Sequence, residues 1–584
     1  MKKAIIYTMA LAGTMMLGSC ADDFLDQKNT TSLNQETYFD SDEAVEAAIY
    51  PLYNYVWSDF NSKFSYGMGD GRANNITAQY SDYIYPYTNL NETSLTDGLN
   101  DAWNSFYSVV AQANNVVNNI QNYSSASVSK NAQTQGIAQA RFMRGVAYWY
   151  IASLWGDAII YENTGDLVNS YASEAPCRQA DVMEFAIRDM EYAAANLSET
   201  PSQTGFVTKY SALGMLSRMY LSMAGLIKEG KYTGEQDQIV TNFNRGIRNT
   251  YYLDLAARAA KVVCENDNLQ LEPNYGSLFS PVAVSGKAPY YPITGSVNTT
   301  KESLFALQWI AGSTDAVGWG CTQQISTFFG WSTAVCDGTN WGGATYCSWD
   351  LWNEYDPADK IRKHFSCAWL DEYYPELNTK NGGYTYGVDD NPGTQGANIK
   401  KYVIGTNNDN GMSFKQSSGI NTHMLRLAEV YLNYAEALLA NNASINEAEA
   451  PDAIKYYNLV RARAGMPKKT SITYEDLRYE RRIEFAFEGQ YWYDLVRRGY
   501  YQQNEVVQYM NNQNRNASYY TASTKTYELS PTYVAPGSGV STATEGSLLL
   551  PYPATDQTKD PLLTHDNVKP YVFGDSEVDI TKII

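Results

Sequence analysis

Three helical runs separated by short polar gaps fill the stretch from Met424 to Gly499, and their spacing restricts the fold more than any other feature of the chain. In the first, Leu425, Ala428, Leu432, Ala435 and Leu439 recur at steps of three and four, one apolar face of an amphipathic helix. In the second, Ile454, Tyr457, Val460 and Ala464 repeat the pattern, and Gly465 followed by Pro467 ends it. The third, from Thr473 to Gly499, opens on Thr473 with Asp476 three residues on, a variant capping box. Each stripe is buried only against a neighbour, so this order predicts an α-solenoid or helical bundle.

The third run also carries Glu480, Arg481, Arg482, Glu484, Glu488, Asp494, Arg497 and Arg498. On one continuous helix Glu480, Glu484 and Glu488 share a face, and Arg481 and Arg482 can pair with them or with another helix. A glycosidase also needs two carboxylates, set across a sugar bond. Ion pairs and caps tying packed helices together are the simpler reading, since no nucleophile elbow or metal motif accompanies the row.

Composition narrows the partners. The 584 residues, 44% of them hydrophobic, suffice for one large helical body with insertions or for several domains. A net charge of −20 argues against a nucleic-acid surface and against docking on anionic lipid. The 49 tyrosines and 12 tryptophans suit a surface that stacks on a neutral polar ligand, although a tyrosine also fills helix–helix contacts.

The N-terminus reads as an export signal. Lys2 and Lys3 precede an apolar run, Ala4 to Leu17, too short to span a membrane, and Leu17-Gly18-Ser19-Cys20 forms a lipobox. Residues 1–19 are read as a lipoprotein signal peptide and Cys20 as the acylated residue. Six cysteines then remain, and in an exported protein they are expected to form disulfide staples on long loops. With no CxxC motif and only His364, His423 and His565, no metal site and no cofactor is expected.

A resemblance appears at AEVYLNYAEAL, YNLVRARAGMP, LRYERRIEFAFEGQYWYDLVRRG and the late LLLPYPATDQTKDPLL. In order and spacing these resemble the C-terminal signature of the SusD/RagB family, outer-membrane lipoproteins that bind glycans for nutrient importers. Asp23-Phe24-Leu25-Asp26, the helix from Ala140 to Tyr150 and the helix from Ala212 to Leu221 extend the likeness upstream. Tyr491 stands where many members have arginine. The resemblance implies a mainly α, SusD-like fold of tetratricopeptide-like helix pairs with long, partly β insertions. It implies a SusC-like TonB-dependent transporter as partner, and acidic residues after Cys20 go with display on the cell exterior. One body is expected over 20–584: a tether at 20–35, an N-terminal helical part at 36–276 with a loop insertion at 53–100, an aromatic loop-rich insertion at 277–421, and a C-terminal helical part with its closing tail at 422–584.

The candidate ligand residues fall in the two irregular stretches. Between Tyr53 and Asn100 lie Asp70, Arg72, Tyr83 and Tyr85, and alternation of Tyr83, Tyr85 and Tyr87 would put three rings on one face of a short strand. Between Ser277 and Asn421 the aromatics crowd, and Trp319, Trp331, Asn340 and Trp341 are the chosen candidates. Trp331 and Trp341 stand in glycine-rich surroundings, and exposed flat rings stack on the C–H face of a sugar while Asn, Asp and Arg bond its hydroxyls. Trp349 and Trp352 are assigned to packing. The favoured function is non-catalytic capture of oligosaccharide or polysaccharide for the transporter. A peptide-binding uptake protein and a lipid-anchored glycosidase are the alternatives.

Overall fold

The computed structural model describes residues 38–78, 84–163, 174–286, 290–337, 345–389, 397–515, 518–521, 526–529 and 540–584. The signal peptide, Cys20 and the tether lie outside these.

The helices pack largely in chain order. Ser41 accepts the Ala44 N–H and so starts α1 (Asp42–Ile49). A short helix, α2 (Tyr85–Asn89), precedes the long α3 (Leu99–Tyr123), α4 (Lys130–Leu154), α5 (Gln179–Asn196), α6 (Lys209–Leu226) and α7 (Thr250–Cys264), of which each from α4 onward packs on the one before. Small residues allow the close approach. A Cβ on Gly145 would stand 2.9 Å from the Ala186 carbonyl oxygen, and one on Gly214 2.8 Å from a Leu425 methyl carbon. The stack does not stop at α7. It resumes with α11 (Leu427–Leu439), which packs on α7, and α12 (Pro451–Arg463), which packs on α11. Much of the intervening chain, joined by Tyr66, Ile76 and Phe487 from outside that interval, forms a second body inserted into the helical run.

That body contains α8 (Ile325–Phe329), α9 (Trp349–Glu354) and α10 (Lys360–Ser366) among short strands. The strands, in chain order, are β1 (Ile76–Ala78), β2 (Ser303–Leu307), β3 (Thr345–Cys347), β4 (Cys367–Ala368), β5 (Tyr373–Tyr374), β6 (Tyr384–Thr385), β7 (Asn398–Ile399), β8 (Ser413–Phe414), β9 (Ser417–Ser418) and β10 (Thr422–Arg426). One sheet runs β1-β3-β7-β4, and β2 pairs with β10 beneath the start of α11. Its core holds Tyr66, Ile76, Phe328, Phe329, Trp331, Tyr384 and Phe487, separate from the core of the helical stack.

The third C-terminal run is not one helix. It divides into α13 (Tyr474–Glu484) and α14 (Tyr491–Gly499), followed by α15 (Gln503–Asn512). Thr473 and Asp476 form the reciprocal cap that their spacing predicts, at 3.2 and 2.9 Å. The break comes at Phe487 and Gly489, whose φ angles are +65° and +71°. Glu488 therefore lies beyond the helix, yet it joins the same buried charge cluster as Glu480 and Glu484. Arg426 reaches Glu302 at 2.5 Å and Glu488 at 2.7 Å, and Lys401 reaches Glu488 at 2.9 Å. Arg362 and Arg461 hold Glu480 at 2.6 and 2.8 Å, Arg362 also pairs with Asp359, and Arg463 bridges Glu302 and Glu484. The charge row is thus a set of structural ion pairs joining α10, α12, α13 and β10.

Three smaller expectations need correction. Tyr85 and Tyr87 lie on α2, not on a strand, so their rings do not share a pleated face. Leu548–Pro553 forms a turn and an extended segment rather than a strand. Its Leu550 N–H donates to the Leu154 carbonyl ahead of α16 (Ala554–Lys559). All six cysteines after Cys20 are unbridged; five are buried in the cores, where the thiol serves as a small apolar group.

Candidate functional site

The structure separates the sequence candidates into two groups. Asp70 and Arg72 lie in the turn and joint between the two cores, where both are buried. The Asp70 carboxylate accepts the N–H groups of Phe487 and Gly489, at 3.0 and 2.6 Å, and the Asn75 amide at 2.8 Å. Burial pushes its pKa up to about 6, against the pull of those three donors. Arg72 pairs with Glu92 at 2.7 Å, donates to the Ser547 carbonyl at 2.7 Å and lies over the Trp492 ring at 4.1 Å. Trp331, expected to face solvent, is 5% exposed. Its indole N–H donates to the Tyr384 hydroxyl at 2.7 Å, because the glycine-rich stretch around it folds inward beside β6. These three side chains hold the insertion together and present no free face.

Two of the stretches that carry the remaining candidates meet one end of the sheet. β1 and β3 are antiparallel with Ala78 opposite Thr345. The stretch carrying Tyr83 leaves from Ala78 and the stretch carrying Asn340 and Trp341 enters at Thr345, so both join the sheet at the same end. Tyr83, Asn340 and Trp341 themselves lie outside the described residues. Tyr85 follows on α2, which packs against β1, and its ring is half-buried against the second core. Trp319 belongs to the turn Trp319–Cys321. Beside that turn stands Tyr55, the most exposed aromatic among the described side chains at 64%. A Cβ on Gly320 would stand 2.3 Å from the Tyr55 ring, so glycine there is what lets the ring lie against the turn.

Tyr55 was missed by the sequence reading. The exposed aromatics among the described side chains are tyrosines, namely Tyr50, Tyr55, Tyr123 and Tyr373. A further cluster lies half-buried near β4: Trp352 and Trp369 meet edge to face at 5.4 Å, with the Lys363 ammonium 3.6 Å from the Trp352 ring centre. Burial lowers the Lys363 pKa. Tyr290 stacks on His364 at 4.1 Å, and His364 meets Glu372 at 2.8 Å. Tyr55 stands exposed and the Trp352 cluster is half-covered, and each offers a flat face on which a polar ligand can stack. The Glu480, Glu484 and Glu488 carboxylates are locked in ion pairs. No group of acid, histidine or cysteine side chains suited to a metal occurs among the described residues.

Comparison with known proteins agrees with this architecture. The model of the "SusD family" matches residues 301–570, and a model described as "Starch-binding associating with outer membrane" matches residues 23–221. A SusD-like protein of Bacteroides ovatus is 35% identical over 98% of this chain and 99% of its own length. A crystal structure solved with xylogluco-oligosaccharide superposes with a TM-score of 0.76 at 34% identity, covering 91% of this chain and all of the other. A SusD-like carbohydrate-binding protein from Bacteroides fragilis shares the fold, with a TM-score of 0.64 at 21% identity over 91% of this chain and 100% of its own.

Proposed function

The chain belongs to the SusD family, and from that premise we propose that it is a cell-surface lipoprotein that captures a neutral oligosaccharide and passes it to a SusC-like TonB-dependent transporter of the outer membrane. The observation that carries this reading is the full-length likeness to a protein solved with xylogluco-oligosaccharide. Lipid attachment at Cys20 follows from the lipobox, and the helical stack offers the rigid body on which a transporter would close. The insertion supplies the ligand face. Tyr55 and the stretches carrying Tyr83, Trp319, Asn340 and Trp341 form the stacking and hydrogen-bonding surface. Asp70, Arg72 and Trp331 act beneath it as supports. Binding is non-catalytic in this reading, because the acidic row is committed to ion pairs.

Isothermal titration of the detergent-solubilised protein against a panel of neutral glycans, beginning with xyloglucan oligosaccharides, tests the proposal. Saturable binding is expected to at least one, and Tyr55→Ala and Trp341→Ala should each weaken it by about tenfold with the thermal midpoint unchanged. No binding to any glycan of the panel, or release of reducing sugar from a bound one, would refute it.

A further inference from the structure

On the helical body, a cavity of about 140 Å3 opens between α3 and α16. One side is aromatic. Trp103 and Tyr107 meet at 4.8 Å and 53°, and Tyr107 and Tyr161 at 5.9 Å and 70°, so three inclined rings form an angular wall. The Tyr107 hydroxyl donates to the Ile159 carbonyl at 3.0 Å. The cavity is also lined by two carboxylates one helical turn apart, Asp556 and Asp560.

Asp560 is 4% exposed. One of its oxygens accepts the Leu562 N–H at 3.0 Å. The other makes no hydrogen bond of good geometry among the described residues, although the Glu174 N–H lies near enough to favour the charged carboxylate. No ion pair involves Asp556 or Asp560 among the described residues. Lys569, the cation that acts on Asp560, is engaged with Glu174 at 2.5 Å. Residues 164–173 contain no lysine or arginine. A buried carboxylate whose nearest cation is paired elsewhere is costly, and aromatic faces attract cations. Carboxylates repel an anion, whereas an ammonium group answers both walls at once.

We propose that this cavity binds a small organic cation, an alkylammonium group of about five non-hydrogen atoms set between the three rings and the Asp556–Asp560 pair. The site is separate from the saccharide face and does not depend on it.

Tetramethylammonium and its neutral counterpart of similar shape, tert-butanol, are the probes, titrated into the full chain in detergent at constant ionic strength. Ligand-observed NMR should report saturable binding of tetramethylammonium in the millimolar range, and protein-observed NMR the movement of an indole N–H resonance that Trp103→Phe removes. The neutral probe should bind about tenfold more weakly, and Asp560→Asn should weaken the cation by a similar factor. Equal binding of the two probes to the wild-type protein, binding of neither, or undiminished binding by a folded Asp560→Asn variant would overturn the proposal. The wild-type pair alone decides the matter if the variant fails to fold.

Discussion

Asp70 sits among glycine, asparagine and tyrosine, in a stretch with every mark of an exposed loop. Its carboxylate instead caps the turn between α13 and α14 by accepting two backbone N–H groups. Removing it strands those donors in a buried joint. Asp70→Ala should therefore cost roughly 3 kcal/mol or more, and Asp70→Asn, which keeps one acceptor, less. Urea unfolding measures both, and a loss below about 1 kcal/mol for the alanine variant would mean that the turn is held by other contacts. Polarity and turn propensity at Asp70, Arg72 and Trp331 were plain in the sequence. Which side of the chain would be covered was not, because the covering residues, Phe487, Ser547 and Tyr384, lie far away along it. The charged row was legible for the opposite reason: carboxylates on a helix that must pack need cations wherever they end up.

Among the elements, α11, α12 and the cap at Thr473 were readable from apolar spacing and end signals, and α4 and α6 through the family resemblance, whereas α5 and α7 were not read. The break inside the third run was not, since Gly489 was its only local mark and the Asp70 carboxylate that stabilises the bend comes from the N-terminal part. The joint between the helical body and the insertion depends on charge. Arg426 lies at the base of α11 and meets Glu302, Glu484 and Glu488 with its side chain 1% exposed. Arg426→Met keeps the volume but leaves three buried carboxylates short of a cation, so a loss of about 3–5 kcal/mol is expected. Adding Glu302→Gln should restore part of it. A thermal or urea midpoint within error of wild type for the single variant would show that the remaining cations suffice.

At the scale of the whole molecule, the clustered charges at the joint balance. Arg362, Lys401, Arg426, Arg461 and Arg463 offset Glu302, Asp359, Glu480, Glu484 and Glu488, so the net −20 of the chain is carried outside this cluster. Buried acids then pull stability in two directions with pH. Glu484 is driven up by burial, but Arg463, Arg426 and Arg362 outweigh this and hold its pKa at about 2; Glu429, against burial, is held at about 2 by Arg218 and Arg481. For both, the folded value lies below the unfolded one of 4.5. Their contribution is present above pH 4.5 and is lost as pH falls towards 2. Asp70 and Glu191 behave in the reverse sense. Burial raises Asp70 to about 6, and burial with the neighbouring Glu184 raises Glu191, which accepts from Tyr220 at 2.7 Å, to about 7. Their contribution is full below the unfolded values of 3.8 and 4.5 and is lost as pH rises through 6 and 7. Each shift of two units or more corresponds to roughly 3 kcal/mol, so neither pair is negligible. The two windows overlap near pH 4.5, and stability should peak there rather than at neutrality. Urea midpoints measured from pH 2 to 8 should rise on going down from pH 7 to about 4.5 and fall steeply below it. Glu191→Gln should flatten the upper limb and leave the lower one in place. A midpoint that climbs steadily from pH 4.5 to 8 would show that these buried acids do not govern the fold.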